Sequence, residues 1–93
     1  MARFRVVINK LAEKHIKEHY FSGNKASIKK IKEIIADLQE HPYTGTGNPE
    51  QLKYELAGFW SRRINQKDRM IYIVEDDIVT VTVISAMGHY KDK

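Results

Sequence analysis

Gly58-Phe59-Trp60-Ser61-Arg62-Arg63-Ile64 is the stretch on which the reading of this chain turns. It follows a turn signal, Ala57-Gly58, and its aromatic and β-branched content suits an extended strand. Side chains on a strand alternate between faces, so Phe59, Ser61 and Arg63 share one face and Trp60, Arg62 and Ile64 the other. Two adjacent arginines therefore cannot both lie on the solvent face of a half-buried strand. One has to cross towards the core side, where it sits at an edge or pairs with a carboxylate. An arginine beside exposed aromatics can alternatively stack on bases and hold phosphates.

Working outward, the two-residue period continues on both sides. Residues 51–56, 70–74 and 78–86 read as further strands, with turn signals at residues 65–68 and 75–77. In the last of these, Val79, Val81 and Val83 alternate with Thr80 and Thr82. Upstream, Tyr43-Thr44-Gly45-Thr46-Gly47-Asn48-Pro49 is a loop by composition, and before it the period changes to that of a helix. Ile28, Ile31, Ile34, Ile35 and Leu38 form one apolar stripe, with Lys29, Lys30, Lys32, Glu33 and Asp37 largely on the opposite face, and His41-Pro42 ends the element. A first helix starts at Asn9, a suitable N-cap, and carries Leu11, Ala12, Ile16 and Tyr20 at helical spacing as far as Ser22-Gly23-Asn24. Residues 4–8 form a short first strand. Two N-terminal helices packed on one face of a twisted, mostly antiparallel sheet are the expected α+β arrangement.

Length and composition agree. The 93 residues suffice for a single domain spanning 1–93, with 42% apolar and 30% charged residues. With no cysteine, disulfides and thiolate metal sites are excluded. The N-terminus has neither the apolar run nor the small-residue site of a secretory signal, and no segment approaches the ~20 apolar residues of a spanning helix. A cytoplasmic protein without membrane contact is the expectation. The net charge of +4 favours an anionic partner, either nucleic acid or an acidic protein. Between positions 53 and 69, Lys53, Arg62, Arg63, Lys67 and Arg69 outnumber Glu55 and Asp68.

Two apparent motifs do not carry the chemistry their spacing suggests. His15-Ile16-Lys17-Glu18-His19 matches a zinc-peptidase spacing, but such a site needs a third ligand in a larger cleft. Gly45-Thr46-Gly47 lacks the lysine and serine of a phosphate loop and leads into a strand, so it reads as a flexible connector. A scattered set is more suggestive. Glu50 lies where the loop meets a strand, Arg69 opens a later strand, and His89-Tyr90 follows the last. Cleavage of RNA by its own 2′-hydroxyl needs a base, a cation for the phosphate and an acid for the leaving 5′-oxygen. Glu or His can supply the first, Arg or Lys the second, and His or Tyr the third. No metal and no cofactor is required. Periodicity does not bring these residues together.

Pro49-Glu50-Gln51-Leu52-Lys53, the run Leu56-Ala57-Gly58-Phe59-Trp60-Ser61-Arg62-Arg63-Ile64, Asp68-Arg69-Met70-Ile71-Tyr72 and Gly88-His89-Tyr90 together resemble the Txe/YoeB toxins of the RelE/ParE superfamily. The resemblance runs in order from about Lys29 to Tyr90, roughly two-thirds of the chain. It implies a RelE-like, microbial RNase fold, ribosome-dependent cleavage of mRNA in the A site, and neutralisation by an acidic YefM-like antitoxin. Mapped onto this sequence, it makes Glu50 the general base, Arg69 the phosphate-stabilising cation, His89 the general acid and Tyr90 a group that positions or stacks on substrate. Lys53, Arg62 and Arg63 are the expected substrate-binding cations. Asp68 stands where the family often carries His. Dimerisation occurs in the family. Two other functions remain open on sequence: a toxin of this fold that inhibits a protein target such as gyrase, and a non-enzymatic RNA-binding module.

Overall fold

The computed structural model describes residues 3–88. Strand β1 (Arg5–Ile8) leads into helices α1 (Lys10–Ser22) and α2 (Lys25–Leu38), and the chain then forms β2 (Glu50–Gln51), β3 (Phe59–Arg63), β4 (Arg69–Glu75) and β5 (Thr80–Ser85). The five strands make one sheet in the order β1-β5-β4-β3-β2, in which β1 runs parallel to β5 and every other pairing is antiparallel.

The helix boundaries follow from local chemistry. The Asn9 side chain accepts from the Ala12 N–H and the Asn24 side chain from the Ser27 N–H, at 2.9 and 3.1 Å, so each helix has an asparagine N-cap. Gly23, at φ 75°, closes α1 in the left-handed conformation and donates back to Tyr20. The α2 stripe goes where its period says: Ile31, Ile34 and Leu38 are buried, against Met70 and Tyr72 of β4 and Val81 and Val83 of β5.

Two strands differ from expectation. The segment 51–56 is extended only at its start. Pairing with β3 ends at the Leu52 N–H to Phe59 carbonyl bond, and Tyr54, at φ 58°, turns the chain into a short 3-10 turn (Tyr54–Leu56). The last strand begins later than expected, because Asp76–Ile78 form a second 3-10 turn and Val79 is left-handed. It also contains a bulge: Tyr72 faces Val83 but Ile71 faces Ser85, which leaves one extra residue in β5. The inward series Val81, Val83 therefore continues at Ala86.

Arg62 is the most consequential core residue. It has no exposed surface, and all five of its N–H donors are used. Nη1 donates to Asp37 Oδ2 at 2.7 Å and to the Thr46 carbonyl, Nη2 to the carbonyls of His41 and Thr44, and Nε to the Tyr72 hydroxyl. That hydroxyl passes the chain on to the Pro42 carbonyl. Burial pushes the Tyr72 hydroxyl above its ordinary pKa, against the downward pull of the guanidinium. The expectation that Arg62 binds substrate is thus corrected. On its face of β3 it follows Trp60 and Ile64 inward, and its charge is spent on Asp37 and on the loop from His41 to Thr46.

The glycine-containing loop is likewise no loose connector. It wraps the arginine so closely that a Cβ on Gly45 would stand 1.7 Å from Asp37 Oδ2, and one on Gly47 3.2 Å from the Arg62 Cβ. The Gly47 carbonyl accepts from the Arg63 N–H at 2.7 Å, which delivers the chain into β2 beside β3.

Replacing Arg62 by Leu strands the Asp37 carboxylate and three carbonyls. Unfolding free energy in urea should fall by about 3–5 kcal/mol, as for a broken buried ion pair. Arg62→Lys should recover only part of this, because an ammonium has three donors for five acceptor positions.

Candidate active site

Helices cover one face of the sheet, and the other face carries the candidate site. Glu50 of β2 lies directly opposite Ser61 of β3, and Arg63 of β3 directly opposite Arg69 of β4. Cross-strand partners project to the same side, so these four residues share the open face. The Arg69 Nη1 bridges the group, 3.2 Å from Glu50 Oε1 and 3.2 Å from Ser61 Oγ. The Glu50 side chain is 53% exposed and that of Arg69 22%, so the carboxylate is open to a ligand while the guanidinium is steadied from below.

The charge arrangement is unusual for a structural surface. Like charges directly opposite on adjacent strands are unfavourable. Arg63 and Arg69 face each other in this way, and no described residue gives the Arg63 guanidinium a hydrogen bond or ion pair. Glu50 offsets only one of the two. An anion above Arg63 and Arg69 would complete the balance, and the adjacent Glu50 oxygens could accept a proton from a hydroxyl on the same ligand.

Lys53 is exposed at the start of the first 3-10 turn, three residues beyond Glu50. His89 and Tyr90 lie outside the described residues. The chain leading to them is nevertheless closely held. The Gly88 carbonyl accepts from the Arg69 N–H at 3.1 Å, and the Gly88 N–H donates to Asp68 Oδ1 at 2.8 Å. Asp68 is buried, and Asn65 Nδ2 donates to its other oxygen while also reaching Ser27 Oγ. Burial pushes the Asp68 carboxyl up, but the Gly88 N–H and the Asn65 amide, helped by His19 and Lys67, outweigh it and leave its pKa below the ordinary value.

Sequence reasoning brought Glu50 and Arg69 forward, and the fold brings them to hydrogen-bond distance. It missed Ser61, although the alternation of β3 already places that hydroxyl on the face of Arg63. It also missed Asp68 as the anchor of Gly88, for which no local signal exists. The His15–His19 pair is turned to the backbone of Ala86 through His15 Nδ1 and His19 Nε2, which removes the zinc-site reading. Among the described residues, no cluster of three or more His, Asp and Glu side chains is placed to hold a metal, and no helix is long and apolar enough to cross a membrane.

A profile of the YoeB-like toxins of bacterial type II toxin-antitoxin systems matches residues 12–90. The chain is 45% identical over 67 residues to the toxin YoeB of Escherichia coli O6:H1, covering 72% of this chain and 77% of that protein. A YoeB/ParE toxin from Agrobacterium tumefaciens superposes with a TM-score of 0.82 at 30% identity, over 94% of this chain and 100% of that one. Staphylococcus aureus YoeB is similar both as a dimer (TM-score 0.78, 32% identity) and in a heterotetrameric complex with YefM (TM-score 0.75, 32% identity), each over 96% of this chain and 100% of that one. The two-helix, five-strand arrangement is a RelE/YoeB-like fold.

The depressed Asp68 carboxyl links the site to pH. Its ionised form stabilises the fold above the unfolded-state value of about 3.9, and this contribution is lost as pH falls through the lower folded value. Wild type should therefore be more stable than Asp68→Asn at neutral pH, with the difference shrinking below about pH 4. Urea unfolding across a pH series measures it.

Proposed function

The chain belongs to the YoeB-like toxins of type II toxin-antitoxin systems, and from that premise we propose that it is a metal-independent endoribonuclease that cuts mRNA in the ribosomal A site. The observation that carries this reading is Arg69 held between Glu50 and Ser61 and opposite Arg63. A phosphodiester set over the two arginines brings its neighbouring ribose towards the Glu50 carboxylate. Glu50 takes the proton of the 2′-hydroxyl, and the 2′-oxygen attacks the phosphorus. Arg69, with Arg63 beside it, stabilises the charge that accumulates on the non-bridging oxygens. His89, which follows the anchored Gly88, donates a proton to the departing 5′-oxygen. The products are a 2′,3′-cyclic phosphate, which can open, and a 5′-hydroxyl end. Tyr90 positions or stacks on the substrate, and Lys53 adds positive charge along the RNA path.

The +4 charge suits two acidic partners in turn, the ribosome-bound message and a YefM-like antitoxin. The Staphylococcus aureus YoeB–YefM complex supports the second, and the dimer of that YoeB supports self-association. The cytoplasm, where ribosomes and message meet, is the proposed place of action.

Incubation with programmed ribosomes tests the reading directly. Wild type should cut the message, and an intact message together with inhibition in a gyrase assay would overturn it. Glu50→Gln and His89→Gln should each slow cleavage by about 10²–10⁴-fold, the usual worth of a positioned base or acid.

Arg69→Leu separates function from folding. Its exposed ion pair is worth under about 1 kcal/mol, and removing it also relieves the opposition to Arg63. Stability should fall by no more than about 1–3 kcal/mol, the cost of the Ser61 hydroxyl left without its donor, while cleavage falls by about 10²–10³-fold.

A further inference from the structure

Past Ser85 the chain leaves the sheet. β1 pairs with β5 only as far as Val83, and β4 only as far as Ser85. Ala86 is wholly buried beyond that point, so its peptide N–H and C=O need partners that no strand supplies. Two side chains of α1 supply them. The Ala86 N–H donates to His15 Nδ1 at 3.0 Å, and His19 Nε2 donates to the Ala86 carbonyl at 2.8 Å. Spaced four apart, both histidines lie on one face of α1. Their roles are opposite. His15 acts as an acceptor and so carries its ring proton on Nε2, whereas His19 acts as a donor from Nε2. Two residues further on, Gly88 is fixed through Asp68 and the Arg69 N–H. Residues 86–88 are thus held by four hydrogen bonds, and the next residue is His89.

We propose that His15 and His19 are positioning residues for RNA cleavage: by clamping Ala86 they fix the short segment whose Gly88 carbonyl holds the Arg69 N–H, and through it the placement of Arg69 beside Glu50. This rests on the ribonuclease reading. A structural role alone would require only that Ala86 be satisfied somehow. The positioning role requires that Arg69 be held in register with Glu50, and a displacement of about 1 Å there is enough to slow chemistry by about 10²-fold.

Conservative variants separate the two. In Asn the side-chain oxygen occupies the place of His Nδ1 along the chain of bonds from Cβ, and in Gln the amide nitrogen occupies that of Nε2. His15→Asn and His19→Gln can therefore keep the acceptor and the donor, whereas His15→Leu and His19→Leu cannot. Single-turnover cleavage of ribosome-bound message should fall by about 10- to 100-fold in the Leu variants. KM should stay within about twofold, because substrate binding is left intact. The Asn and Gln variants should recover most of the rate. Amide exchange at Ala86 reads the clamp without any activity: slow in wild type and in His15→Asn, fast in His15→Leu. His15 is only half-buried, so its two variants decide the matter if His19→Leu does not fold. Leu variants that cleave like wild type, or Asn and Gln variants no better than Leu, would overturn the clamp while leaving the ribonuclease reading intact. A wild type that cuts no message overturns both.

Discussion

The buried guanidinium of Arg62 is the constraint on which the rest of the architecture depends. Taking such a charge out of water costs several kcal/mol, and the cost is offset only when the pairing is geometrically complete. Here Asp37 supplies the countercharge, while Tyr72 and three loop carbonyls take the remaining donors. These partners come from α2, from β4 and from the loop between α2 and β2. One side chain therefore ties the helical layer to the sheet and orders a loop with no regular structure of its own. Beside the Asp37 carboxylate that pairs with the guanidinium, the Gly45 position has no room for a Cβ, and at Gly47 one would press on the Arg62 Cβ at 3.2 Å. The loop ends at Glu50, so the register of the proposed base is set by an arginine on the opposite face of the sheet.

The neighbouring arginine has the opposite fate for the same reason. Because Arg62 points inward, strand alternation sends Arg63 outward, directly opposite Arg69. The two faces of β3 thus divide one pair of adjacent cations into a satisfied structural charge and an unsatisfied one. On the open face the imbalance is destabilising for the free protein and favourable towards an anion. Serine at position 61, wholly buried beneath Arg69, keeps that guanidinium from turning fully to Glu50. A cation shared between a carboxylate and a hydroxyl can be recruited by a phosphate more readily than one locked in a bidentate pair.

How much of this can be read from sequence depends on whether the partner is near in the chain. The α2 stripe, the two asparagine caps and the alternation of β3 and β4 are local patterns, and they predict the elements well. Trp60 and Ile64 on the face of Arg62 even say which arginine turns inward. What no period reveals is Asp37, 25 residues away, which makes that burial possible. The failure at residues 51–56 has another cause: Tyr54 is left-handed, and nothing in the residues around it demands that. Glu50 and Arg69 are 19 residues apart, and only the resemblance to a known family joined them in advance. The part played by His15 and His19 stayed hidden for the same reason, since Ala86 lies 71 and 67 residues further on.

The end of β5 presents a problem that a sheet cannot solve by itself. A strand carrying a residue to an active site has to stop pairing before it arrives, or its side chains remain committed to the two faces of the sheet. Once pairing stops, the backbone loses the bonds that held it in place. The bulge in β5 begins the departure by shifting the inward position to Ala86, and side chains then replace the ladder: two histidines from α1 at Ala86, and Asp68 at Gly88. The Arg69 N–H closes the series on the Gly88 carbonyl. That last bond matters most for function. The residue proposed to hold the phosphate uses its own backbone to hold Gly88, so the proposed cation and the end of the departing strand share one local frame.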